Sequence, residues 1–257
     1  MKSATTRACG MSTWGAAMTK LIELSGLTAG YRDAVVINEL SLSIGKGEAV
    51  ALLGRNGVGK STLLATLMGL TTTFKGSLRL NGAEIGALAP HQRNAAGLGY
   101  VPQEREIFHS LTVHQNLQVA ARPGQWDLAA VYRLFPRLDE RRANFGNQLS
   151  GGEQQMLAMG RALIGNPSLL LLDEPLEGLS PIMMDALLDA TRVLKESGQT
   201  LVLVEQHAHM ALEVTDRVVV LDRGRIVHEG ASSALLQDDA RLGELLGVGD
   251  GTALAQA

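Results

Sequence analysis

Residues 54–61 read Gly-Arg-Asn-Gly-Val-Gly-Lys-Ser, and no other stretch of the chain so narrows the folds open to it. They match the pattern G-x4-G-K-[ST], in which backbone N–H groups cradle phosphate oxygens. The run Ala49-Val50-Ala51-Leu52-Leu53 before it has the apolar continuity of a buried strand, and Ser61 to Met68 after it reads as a helix. Strand, glycine-rich turn and helix in that order bring free N–H groups and the positive end of a helix dipole to one point. In this pattern Lys60 reaches the β- and γ-phosphates and the Ser61 hydroxyl ligates Mg²⁺. Gly54, Arg55, Asn56, Gly57, Val58, Gly59 and Thr62 make up the rest of the expected phosphate-binding set.

A second glycine-rich turn lies further along, at Leu149-Ser150-Gly151-Gly152-Glu153-Gln154-Gln155. Ser150, Gly151 and Gly152 precede a helical pattern, where unsatisfied N–H groups and the helix dipole favour an anion. The same residues also suit a plain N-cap followed by a turn. Two such helix ends, with one lysine-bearing loop between them, suggest that they serve different nucleotides.

The rest of the chain alternates strands and helices. Apolar runs at Leu21–Leu24, Leu40–Ile44, Ala49–Leu53 and Ser77–Leu80 predict a β-rich N-terminal portion, with a further strand at Leu98–Val101. Helical periodicity runs from Val113 to Leu163, broken at Pro123-Gly124 and at Asn144–Gln148. Strands return at Leu169–Leu172, Thr200–Val204, Arg217–Leu221 and Arg225–Glu229, with helices over Pro181–Glu196 and after His207. The run Leu169–Leu172 suits a central parallel strand covered on both faces. It delivers Asp173 and Glu174 to a strand C-terminus, where α/β sheets bind ligands. Asp173 is expected to hold Mg²⁺ through water. Glu174 is expected to orient and deprotonate the attacking water.

At 257 residues with 46% hydrophobic content the chain can form one large domain or a domain with a subdomain. A net charge of −3 argues against nucleic acid as a partner. Its single cysteine, Cys9, leaves no disulfide framework, which suits a reducing compartment. No stretch approaches the eighteen uninterrupted apolar residues of a membrane span. Residues 1–17 lack the apolar centre of a signal peptide. They are expected to be a disordered extension or a misassigned start, with Met11 or Met18 as the true first residue.

Taken with the lysine-bearing loop and Asp173-Glu174, the segment Leu149–Gln155 resembles the signature of ATP-binding-cassette (ABC) ATPases, and the similarity spans about residues 21–230. The resemblance implies an α/β fold: a P-loop NTPase core with an antiparallel β portion at the N-terminus and an inserted helical subdomain at about 104–163. It implies a domain over 18–257 and ATP and Mg²⁺ as cofactors. In such a protein each ATP lies between one subunit's phosphate loop and the other's signature. Gln103, after Tyr100-Val101-Pro102, resembles the glutamine that contacts Mg²⁺ or the γ-phosphate. Tyr31 resembles the aromatic that stacks on adenine. Leu176-Glu177-Gly178-Leu179-Ser180-Pro181 resembles the loop that meets the partner subunit, but lacks its usual aspartate. Many members place a histidine at the switch position; here Gln206 stands there and His207 follows, so either is a candidate.

Val204-Glu205-Gln206, Glu177–Pro181 and Ile107-Phe108 with Asn116-Leu117 resemble the branched-chain amino-acid importer subfamily. Tyr100–Gln103 with Arg105–Phe108 leans toward its urea and short-chain amide relatives, and Gln155–Ala158 toward branched-chain amino acids. The resemblance implies a second ATPase subunit, a pair of integral membrane permease subunits, a periplasmic substrate-binding protein and a peripheral place on the cytoplasmic face of the inner membrane. A non-transport ABC ATPase is the rival class, although neither tandem cassettes nor coiled coils are seen. A phosphate-loop GTPase lacks its base-reading Asn-Lys-x-Asp here. Met156 and Met159, at helical spacing behind the signature, read as core, and Trp126 reads as the anchor of a helix in the insertion. His91, His109 and His114 have no partner in sequence and read as surface.

Overall fold

The computed structural model describes residues 19–247; the expected extension at 1–17 lies outside the described residues. The chain opens with a long hairpin, β1 (Lys20–Tyr31) and β2 (Ala34–Gly45), then β3 (Ala49–Leu53), α1 (Lys60–Met68), β4 (Thr72–Leu80), β5 (Ala83–Glu84), α2 (Pro90–Ala95) and β6 (Leu98–Val101). Short helices α3 (Val113–Gln118), α4 (Leu128–Leu134) and α5 (Pro136–Glu140) and a 3-10 turn at Gly146–Gln148 lead into α6 (Gly151–Leu163). The C-terminal half comprises β7 (Leu169–Asp173), α7 (Pro181–Glu196), β8 (Thr200–Val204), α8 (Ala208–Val214), β9 (Arg217–Asp222), β10 (Arg225–Ala231), α9 (Ser232–Leu236) and α10 (Asp239–Leu246).

Two sheets form. One is antiparallel, ordered β2-β1-β4-β5; the other is ordered β10-β9-β3-β8-β7-β6, with all but β10 parallel. The parallel strands are buried on both faces, so their residues alternate between two apolar layers rather than between core and water. Ala49, Ala51, Leu53, Leu170, Leu172, Leu201 and Leu203 pack with α6, α7 and α8 on one side. Val50, Leu52, Leu169, Leu171, Val202 and Val204 pack with the antiparallel sheet and α1 on the other. The fold class and the helical insertion thus match the sequence expectation.

The first two strands differ from it. They run twelve residues each rather than four or five. Register shifts between Leu24 and Leu27 and between Leu27 and Ala29 interrupt the alternation that would mark a strand in sequence. Arg217 ties the two sheets together: buried, it donates to Glu48 Oε1 at 2.6 Å and to the Ser43 carbonyl at 2.6 Å, and it pairs with Glu229. His114 also departs from the sequence reading. Its Nδ1 lies 3.0 Å from the Tyr132 hydroxyl and its ring stacks on that residue, a pairing between α3 and α4 that neither residue announces alone.

Candidate functional site

The phosphate loop leaves β3 at Leu53 and enters α1 at Lys60. Gly54 has φ 145°, and a Cβ there would stand 2.4 Å from the Leu221 carbonyl oxygen, so a larger residue would push the loop off β9. Lys60 curls back over the loop, donating to the Gly54 carbonyl at 2.9 Å and the Arg55 carbonyl at 3.2 Å. Its ammonium is 4.0 Å from Glu174 Oε1. Burial pushes the Lys60 pKa down, and the carboxylates of Glu174, Asp173 and Glu205 partly oppose that shift.

The acidic pair reaches the loop by a change of backbone conformation. Leu169, Leu171 and Asp173 share one face of β7. Glu174, where φ turns to 48°, ends the strand while its N–H still bonds the Val204 carbonyl at 2.9 Å. Glu174 therefore lines the cleft, while Asp173, its neighbour in sequence, stays buried behind the Ser61 hydroxyl. Asp173 accepts from the Ser61 hydroxyl at 2.9 Å and from the Tyr100 hydroxyl at 3.2 Å. Burial pushes the Asp173 pKa up, against the pull of those two hydrogen bonds. Tyr100 is itself held protonated by burial and by the Asp173 charge.

Asn56, Gly57, Gly59, Lys60, Ser61 and Thr62 line a cleft of about 360 Å³, closed opposite by Gln103, Glu174, Glu177 and Gln206. A larger hollow of about 570 Å³ lies under the helical insertion, lined by Arg105, Arg122 and Arg161. It holds none of the acidic residues, so the smaller cleft carries the chemistry. Gln206 donates from Nε2 to Glu174 Oε2 at 2.6 Å. His207 is exposed, immediately precedes α8 without a capping hydrogen bond from its side chain, and lines no part of this cleft. The Gln103 amide donates to Glu177, a contact the sequence reading did not foresee. Ser61, Asp173 and the Gln103 amide offer oxygen donors only, the set a hard cation such as Mg²⁺ takes. The excess of carboxylate over ammonium in the cleft would also repel a bare triphosphate, which a divalent cation offsets.

Ser150, Gly151 and Gly152 line no part of this cleft. Ser150 caps α6, accepting from the Glu153 N–H at 3.3 Å while Glu153 accepts from the Ser150 N–H at 2.8 Å. A Cβ on Gly152 would lie 2.4 Å from the Met183 side chain, so only glycine lets α6 approach the first turn of α7 this closely. Tyr31 ends β1, half exposed, and also stands outside the cleft lining. Two residues that the sequence marks only as subfamily features order the site from behind. Glu205, buried, accepts from the Leu176 N–H at 2.9 Å, and burial raises its pKa to about 7. Arg105 donates to Gln155 at 3.2 Å, joining the segment after Gln103 to the signature helix.

Residues 37–177, which contain the phosphate loop, the signature helix and the acidic pair, match the family model described as ABC transporter. The chain belongs to the ABC transporter family. Among the relatives of this ABC protein is the high-affinity branched-chain amino acid transport ATP-binding protein BraG of Pseudomonas aeruginosa, 42% identical over 83% of this chain and 95% of that protein. Another is the probable branched-chain amino acid transport ATP-binding protein LivF of Archaeoglobus fulgidus, 37% identical over 83% of this chain and 93% of that one. The solved ATP-binding subunit of an ABC transporter superposes with a TM-score of 0.72 at 30% identity, covering 88% of this chain and 95% of its own. A dimeric ATP-binding cassette in a post-hydrolysis state with ADP and Pi shares the fold, at a TM-score of 0.73 and 23% identity.

Proposed function

We propose that this ABC protein is the ATP-binding and hydrolysing subunit of an importer for branched-chain amino acids. The observation that carries the reading is the cleft itself: Lys60 and Ser61, Glu174, and Gln206 converge from three separate segments on one phosphate-sized space, with Asp173 held on the Ser61 hydroxyl. In this reading Lys60 and the N–H groups of residues 54–62 hold the triphosphate, Tyr31 stacks on the adenine, and Ser61, Asp173 and Gln103 hold Mg²⁺, which neutralises phosphate charge. Glu174 takes a proton from the attacking water, and Gln206 fixes its carboxylate and donates to the γ-phosphate. Ser150, Gly151 and Gly152 complete the site of a facing subunit; their absence from this chain's own cleft supports that division of labour.

The domain then spans 18–257, with a helical subdomain at about 104–163. It works as a homo- or heterodimer on the cytoplasmic face of the inner membrane, held there by integral membrane permease subunits and supplied through a periplasmic binding protein. No helix among the described residues is long and apolar enough to cross a membrane, which accords with peripheral attachment. The names of the relatives from P. aeruginosa and A. fulgidus support branched-chain amino acids as the cargo. The test is reconstitution with the permease pair in proteoliposomes: ATP-driven leucine uptake, not displaced by excess urea or acetamide, is expected. Uptake of the amides instead, or ATP hydrolysis indifferent to permease and cargo, would overturn the assignment.

A further inference from the structure

We propose that Tyr100 is a positioning residue for the metal half of the site, acting through the carboxylate of Asp173. The inference rests on Asp173 being the Mg²⁺ carboxylate. Asp173 is only 2% exposed, and a carboxylate so withdrawn from water needs donors on its oxygens. It has one on each: the Ser61 hydroxyl on Oδ1 and the Tyr100 hydroxyl on Oδ2. The two donors fix both the position of the group and the plane in which it lies.

Strand register explains why a tyrosine at this point can reach. Tyr100 pairs with Leu171 across the parallel β6–β7 ladder, and Asp173 lies two residues further along on the same face as Leu171. A phenol, long enough to span that offset along the strand, puts its hydroxyl at the carboxylate, while its ring packs against the apolar layer that contains Leu169 and Leu171. A Ser61 hydroxyl that ligates the cation does so through an oxygen lone pair and keeps its proton for Asp173 Oδ1, so the Tyr100 hydroxyl on Oδ2 completes the pair of donors that holds the carboxylate in place.

The experiment uses the full chain with a non-hydrolysable ATP analogue and Mn²⁺ as the probe, followed by electron paramagnetic resonance. Tyr100→Phe keeps the ring and its packing and removes the hydroxyl alone. It should raise the Mn²⁺ half-saturation concentration about tenfold, the range seen on loss of groups that orient metal ligands. The thermal midpoint should fall modestly, as for any donor lost from a buried carboxylate, but nucleotide affinity in EDTA should stay at the wild-type value, so the metal-dependent loss separates positioning of the metal from a general disturbance of the cleft. Asp173→Asn is measured alongside. Unchanged Mn²⁺ binding in Tyr100→Phe, with weakened binding in Asp173→Asn, would overturn the role of Tyr100 and leave the metal assignment standing. Unchanged binding in both variants would remove the metal assignment and this inference together.

Discussion

The Gln206 side chain donates to the Glu174 carboxylate at 2.6 Å, across two strand ends that are neighbours in the parallel sheet. A neutral amide thus occupies a position from which a histidine would bring an ionisable ring. The contact orients the group that would accept a proton from water, and it does so without a charge of its own. Gln206→Ala should lower kcat by about tenfold, the loss of one hydrogen bond to a charged group, and should weaken ATP more than ADP, which has no γ-phosphate to accept from the amide. Equal turnover in the variant would show that Glu174 is held by other means.

Glu174→Gln tests the proton acceptor itself. The amide keeps the size of the side chain but takes no proton, so turnover should fall by about 10²–10⁴ while ATP binding persists. With hydrolysis blocked, addition of ATP should produce a long-lived dimer on a sizing column. Lys60→Ala should fail earlier, at binding, because it removes the ammonium that spans the loop carbonyls. Undiminished hydrolysis by Glu174→Gln would remove that residue from the role of base.

The parts of this site that a reader of the sequence can find are those in which neighbouring residues share a task. Residues 54–61 and the pair Asp173-Glu174 carry their own flanking strands, and α7 starts at Pro181 and ends at Glu196 where periodicity placed it. Tyr100, Glu177 and Arg105 act on partners 73, 74 and 50 residues away, and nothing beside them in sequence marks those partners. The full length of the first two strands is hidden for a different reason. Bulges in β1 shift its register against both β2 and β4, so polar and apolar residues do not alternate there. The choice between Gln206 and His207 needed the backbone turn after β8, which sends one side chain to the cleft and starts α8 at the other.

Glu205 should make stability depend on pH near neutrality. Its folded pKa, raised by burial to about 7, stands above the ordinary value of 4.5. A carboxyl whose folded pKa is raised binds its proton more tightly in the native state, so its contribution is fully present below 4.5 and is lost as pH rises through 7. Glu205→Gln mimics the protonated form at every pH. Its thermal midpoint should exceed that of the wild type at pH 8, and the gap should shrink steadily as pH falls toward 5. A gap that stays constant across that range would mean Glu205 does not titrate there.

Signature and phosphate loop should prove separable by mixing subunits. Ser150→Ala removes the cap of α6, costing about 1 kcal/mol, and removes a hydroxyl from the surface that would face a partner's nucleotide. Lys60→Ala disables the phosphate cradle but leaves Ser150 intact. In a two-fold dimer with shared sites, each variant alone should be nearly inactive, since both of its composite sites carry the lesion. Mixed in equal amounts, half the dimers are hybrids, and each hybrid contains one site with a native Lys60 facing a native Ser150. Hydrolysis should recover to about a quarter of the wild-type rate if the two sites act independently. Subunits that complete their own sites would show no such recovery, because every site in the mixture would keep one of the two defects.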